Sequence, residues 1–220
     1  MASTGIDLPP RAAPWGRLVL VATLAALGAW FVAHNVLHYA QYDPQTYGTF
    51  WPRRFGLLLH IAGGLTALTI GLVQIWLGLA GRTSGRHPVL GRVYIAGVLV
   101  GSAGAYFLAL TLEPKDVVYG AGLFMLATAW LVTTGMAIFA IRRRDYEQHR
   151  EWMIRSYTVT FAFVTFRLFD QWLVNLRVAT PDDIDTIMAW ACWSVPLLFA
   201  EPLLQWRRMR LRRPGGAPGR

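Results

Sequence analysis

Charge and sulfur are what this chain has little of. Only 15% of its 220 residues are charged, and there is a single cysteine. That residue, Cys192, lies within an apolar run, so an intrachain disulfide and a thiolate metal cluster are both excluded. Also missing are a phosphate-cradling glycine loop, a nucleophile elbow and a zinc-protease helix. The sequence therefore names no catalytic residue and leaves open whether the chain is an enzyme.

What is present is apolar. Hydrophobic residues make up 55% of the chain, tryptophan occurs ten times, and mean hydropathy is positive at +0.37. Such a composition belongs to a membrane protein, not to a soluble domain. Six apolar runs, at residues 15–38, 55–80, 90–112, 117–141, 152–174 and 187–206, each approach the 20 or so residues that a helix needs to cross a bilayer. The expected fold is all-α: one bundle of six transmembrane helices over residues 15–206. It is flanked by a disordered N-terminus, residues 1–14, and a basic tail, residues 207–220. The first run, preceded by Arg11 and Arg17, resembles a signal peptide in outline, but it exceeds the usual h-region, and an uncleaved helix is expected.

The net charge of +9 suggests nucleic acid at first sight, but the basic residues fall between the apolar runs and after the last one. They read as topology signals, which removes nucleic acid as a partner and leaves the lipid bilayer. Arg82, Arg86 and Arg92, then Arg142, Arg143, Arg144 and Arg150, then Arg207, Arg208, Arg210, Arg212 and Arg213 all fall on one side of a six-helix path. Asp43, Glu113, Asp116, Asp182, Asp183 and Asp185 fall on the other, with Lys115 and the exceptions Arg53, Arg54 and Arg177. By the positive-inside rule both termini are expected in the cytoplasm of a bacterial cell, with the helices in its inner membrane.

This path sorts the histidines. His87 and His149 belong to the inner edge, and His34, His38 and His60 to the outer edge. Haem iron takes axial imidazole, and two helices of a bundle can hold a haem by giving one histidine each. The candidate pairs are His87 with His149, and His60 with His34 or His38. Arg92, Arg150 or Arg155 would then meet haem propionates in bidentate fashion. Copper, zinc or iron without a porphyrin is an alternative at His60, His87 and His149, since imidazole suits all three. Glycine faces, with Gly64, Gly71 and Gly78 following His60 and Gly97, Gly101 and Gly104 on the next helix, admit a flat cofactor or plain helix packing.

A second constellation is a polar stripe on the fifth run. His149 and Arg167 are 18 residues apart, which returns them to one helix face, and Ser156 and Thr160 fall near it. Asp170 lies one turn past Arg167. Ionisable groups at membrane depth default to a functional reading, here a path for protons or a small solute. An ion pair of Arg167 with Asp170 that only anchors the helix is the plainer account. Arg155 and Glu201 are placed to pair between the fifth and sixth helices.

The series His60-Ile61-Ala62-Gly63-Gly64 with Gln74, Arg86-His87-Pro88-Val89-Leu90-Gly91-Arg92-Val93-Tyr94, Trp130, and His149-Arg150-Glu151-Trp152-Met153-Ile154-Arg155-Ser156 with Arg167 resembles the bacterial membrane-protein family named domain of unknown function 2306. The resemblance covers about residues 56–172 and implies an integral membrane protein with no assigned reaction. Pro88 and Val89 depart from the loop motif of that family. In outline the helices and histidines are also similar to the two-haem transmembrane cytochromes b, an analogy of architecture alone. The expected function is a haem-binding electron carrier or oxidoreductase subunit whose cofactor is a b-type haem, with a redox partner or a larger membrane complex the sequence does not name. A small-solute or proton transporter is the alternative, and an assembly factor of a membrane complex a third.

Overall fold

Wherever the chain runs apolar for about twenty residues it is helical, because in lipid every backbone N–H and C=O must find its partner within the protein. The computed structural model describes residues 14–83, 85–112 and 116–211. Its main elements are α1 (Pro14–Asn35), a short α2 (Pro44–Tyr47), α3 (Arg54–Leu79), α4 (Arg86–Leu110), α5 (Val117–Arg142), α6 (Tyr146–Thr160), α7 (Ala162–Asn175) and α8 (Pro181–Leu211). No strand occurs among the described residues. The fold is an all-α membrane bundle, and five of its segments are long and apolar enough to cross a bilayer: Trp15–Asn35, Pro44–Leu79, Arg86–Leu110, Val117–Arg142 and Pro181–Met209. Most of the N-terminus and tail expected at residues 1–14 and 207–220 lies outside the described residues, as do Glu113 and Lys115.

The fifth run departs from expectation. Instead of one helix over residues 152–174 there are two, α6 and α7, meeting at Phe161. The cause is local. Thr158, Val159 and Thr160 are β-branched, and the hydroxyls of Thr158, Thr160 and Thr165 each bond the carbonyl four residues back, which bends a helix. α6 also begins six residues early, at Tyr146, because the Asp145 carboxylate accepts the backbone N–H of Gln148 and caps it.

α8 is longer than expected at both ends. It starts at Pro181, with Asp182 and Asp183 in its first turn, where the helix dipole favours negative charge. It then continues unbroken through Pro196, Pro202 and Trp206 to Leu211, taking the first residues of the basic tail into the helix.

The link between α1 and α3 is ordered. Two 3₁₀ turns, Leu37–Gln41 and Gly48–Arg53, flank α2 and gather Tyr39, Tyr42 and Trp51 around Tyr47, each meeting its ring edge to face. Tyr47 is 2% exposed and donates its hydroxyl to the Tyr39 carbonyl.

α3 and α4 form the tightest seam. A Cβ added at Gly104 would come within 2.5 Å of the Gly56 carbonyl oxygen and the His60 nitrogen, and one at Gly63 would strike the backbone of Gly97 and Gly101. Small residues are what allow two backbones this close. Gly71 lies under the Tyr157 ring, whereas Gly64 and Gly78 face open space. Of the two readings of the glycine faces, helix packing holds for Gly63, Gly71, Gly97, Gly101 and Gly104.

Candidate functional site

The seam leaves room on its far side. A cavity of about 700 Å³ opens between α1, the ordered link, α3, α4, α5 and the α6–α7 junction. That volume is in the range of small-molecule and cofactor sites. Its wall is mainly Leu, Ile, Val and Phe, and the polar groups on it are few: His60, Arg53, Arg167, Asp116, Tyr119 and Thr160 among them.

His60 is the group on this wall with the most defined chemistry. It is half-buried, its ring stands edge-on to Phe163, and its Nδ1 lies 3.0 Å from the carbonyl oxygen of Gly101 across the seam. A carbonyl only accepts, so Nδ1 carries the hydrogen and the neutral ring keeps its lone pair on Nε2. That nitrogen has no protein partner among the described residues. A metal-bound histidine is typically held this way, with the other ring nitrogen donating to a backbone carbonyl.

The two arginines frame the same space. Arg53 donates to the carbonyls of Thr49 and Thr111, and Arg167 lies 3.8 Å from Asp170 with 43% of its side chain exposed. Each keeps guanidinium N–H groups for an acidic or carbonyl-bearing edge of a ligand.

The predicted outer pair is not assembled. His34 and His38 are exposed, their recorded contacts are to Trp30 and Tyr39, and neither lies on the cavity wall with His60. α1 turns His34 away while presenting Phe31 and Asn35, and His38 lies in the Leu37–Gln41 turn beyond it.

From the cavity a chain of hydroxyls runs into the bundle. Trp130 Nε1 donates to Thr160 Oγ1 at 2.8 Å. The Tyr94 hydroxyl sits 2.7 Å from both Thr160 Oγ1 and Ser156 Oγ, and Ser156 Oγ is 2.7 Å from Thr134 Oγ1. Thr160 donates to the Ser156 carbonyl and Thr134 to the Trp130 carbonyl, and in each hydroxyl–hydroxyl contact of the chain either oxygen can be the donor. Tyr94 and Ser156 are fully buried. The sequence stripe of Ser156 and Thr160 thus continues onto α4 and α5 through Tyr94 and Thr134, while Arg167 and Asp170 pair at the cavity end. Thr134 was not singled out from sequence, although its spacing of four from Trp130 puts both on one face.

At the other end of the bundle, His149 Nδ1 lies 2.9 Å from the Ala137 carbonyl, and His87 is near enough to feel the His149 ring. His87 Nδ1 is buried without a partner among the described residues, and Gln74 donates to the His87 carbonyl at 2.7 Å. Arg155, a predicted cofactor contact, is already engaged: its guanidinium grips Glu201 through Nε and Nη2 and packs over Trp152. The expected α6–α8 pair is therefore present. A second pair, Glu151 with Arg208, was missed because Arg208 lies beyond the expected end of the last helix.

Residues 57–204 match the family model described as predicted membrane protein, domain of unknown function 2306. The chain belongs to this family. The part shared with it holds His60, His87, His149, the hydroxyl chain and the Arg155–Glu201 pair, whereas His34, His38 and Arg208 lie outside it. No curated protein and no solved structure matches the chain. Among the described residues no three His, Cys, Asp or Glu side chains gather as a metal cluster.

Proposed function

We propose that this membrane protein holds a flat amphiphilic redox cofactor, a b-type haem, in the cavity beside His60. The observation that carries this reading is the His60 ring, fixed through Nδ1 on the Gly101 carbonyl with Nε2 unclaimed on an apolar wall. A bare imidazole lone pair in such surroundings wants a metal ion or a hydroxyl donor. Arg53 and Arg167 suit the two propionates, and the open face at Gly64 leaves room for a planar ring. With His34 and His38 off the wall, His60 is the imidazole among the described residues that would hold the iron, so the reading differs from a bis-histidine electron wire. Bound haem would supply one-electron chemistry, while the protein's own part is to ligate, orient and keep water from the ring.

The test is to purify the protein from haem-replete cells and record its absorption spectrum oxidised and reduced. A Soret band that shifts on reduction and disappears in His60→Ala is the expected result. No Soret band with haem supplied overturns the reading.

The hydroxyl chain favours proton movement as a second reading. Tyr94, Ser156, Thr160 and Thr134 link the cavity toward the turn of α5 whose Ala137 carbonyl holds His149. In liposomes carrying an internal pH dye, a proton leak under an imposed potential that falls several-fold in Tyr94→Phe supports it. An unchanged leak contradicts it.

A further inference from the structure

Three arginines gather at the end of the bundle opposite the cavity. Arg17 comes from α1, Arg150 from α6 and Arg207 from α8, and both Arg17 and Arg207 lie near enough to Arg150 for their charges to repel it. Arg17 is pinned there by donating through Nη1 to the Leu79 carbonyl, 2.8 Å away at the end of α3. Arg207 Nη1 is buried and has no acceptor among the described residues. Among the described residues, acids of this end are engaged elsewhere: Glu151 on Arg208, Glu201 on Arg155 and Asp145 on the Gln148 amide. Exposed Glu147, in the first turn of α6, is the acid among the described residues that eases the charge on Arg150. A positive-inside bias requires arginines near one surface. It does not require three distant segments to bring their charges within reach of one another, one of them with a buried donor that has no acceptor among the described residues.

We propose that Arg17, Arg150 and Arg207 form a binding site for the phosphodiester group of an anionic membrane lipid. A phosphodiester carries one negative charge and two free oxygens, each able to take N–H groups from a guanidinium fork. Lipid is favoured over a soluble phosphate by what lies one and two turns deeper on the same helix face. Leu203 and Phe199, four and eight residues before Arg207, are 67% and 70% exposed, and Leu20 on α1 is 49% exposed, which offers acyl chains a surface. Basic pockets between helices on the cytoplasmic side are where anionic headgroups bind, and the arginine-rich end is the one the positive-inside rule assigns to that side. The site is remote from His60 and stands whether or not the cavity takes haem.

The experiment uses the full chain, delipidated in neutral detergent, with the thermal midpoint followed by tryptophan fluorescence. Phosphatidylglycerol at saturation should raise the midpoint by about 5 °C, phosphatidylcholine should not, and inorganic phosphate at equal concentration should not. Arg17→Gln, Arg150→Gln and Arg207→Gln together should erase the phosphatidylglycerol shift, while Arg143→Gln keeps it. Native mass spectrometry gives the same comparison on Arg207→Gln alone should the triple variant fail to fold, with retained phosphatidylglycerol falling several-fold. An equal shift in the triple variant, an equal shift from inorganic phosphate, unchanged lipid retention in Arg207→Gln, or no shift at all overturns the proposal.

Discussion

The imidazole of His60 and the carbonyl of Gly101 are joined across the α3–α4 seam at 3.0 Å, and this one bond fixes which ring nitrogen faces the cavity chemistry. It is made where the glycines of α4 bring the two backbones together, so seam packing and site geometry depend on the same residues. In protein labelled with nitrogen-15 histidine, His60 should therefore appear as the Nδ1–H tautomer with an unprotonated Nε2. An Nε2–H tautomer would mean that the bond to Gly101 is not made.

Gly63 and Gly64 are neighbours with opposite tolerances. A methyl at Gly63 would meet the α4 backbone, whereas Gly64 has nothing within 4 Å and lies on the cavity wall. Gly63→Ala should cost about 2 kcal/mol or more through forced separation of α3 and α4. Gly64→Ala should leave the melting point unchanged, and Gly64→Phe should fold yet block the cavity. Thermal melts together with ligand titration separate these cases. Equal destabilisation by the two alanines would contradict the packing described.

Glu151 is 1% exposed and meets the Arg208 guanidinium through both carboxylate oxygens, with Arg155 3.8 Å away. Removing one partner of a buried pair leaves an uncompensated charge, costing about 3 kcal/mol when, as here, the other partner keeps some access to the surface. Glu151→Gln should show that loss in a melt, and Glu151→Leu with Arg208→Met should recover part of it. No recovery would indicate that packing, not charge, sets the loss.

Asp43 caps α2 by accepting the Gln45 and Thr46 amides and the Thr46 hydroxyl, and the hydroxyl is the leading reason its carboxyl titrates below the ordinary aspartate range. A folded value below the unfolded one means that the cap contributes fully above the unfolded value, about 3.9, and is lost as pH falls through the folded value. The amides of Gln45, Thr46 and Tyr47 should thus exchange faster at pH 3 than at pH 5, after correction for intrinsic rates. Asp43→Asn should remove that dependence.

Much of this architecture is legible in the sequence because a membrane leaves the backbone few options: long apolar runs become helices, and Arg155 and Glu201 find each other. The interruption at Phe161 was not legible, since it depends on threonine hydroxyls competing for backbone carbonyls inside a run that reads as continuous. The ordered link from Leu37 to Arg53 was hidden for the opposite reason, being too short in each element to show a period. The facing of His34 and His38 was misjudged because a shared leaflet is not a shared cavity; which way α1 turns is settled by its packing on α3 and α7. Tyr94 and Thr134 bear their hydroxyls within mainly apolar stretches of α4 and α5, and only the bundle brings them to Ser156.

Haem content per chain, compared between the wild-type protein and His60→Ala purified side by side, bears most directly on the site. The account predicts about one haem per chain in the first and none in the second, with His34→Ala and His38→Ala unchanged. A wild-type protein without haem, or a His60→Ala protein that retains it, would contradict the assignment of the cavity.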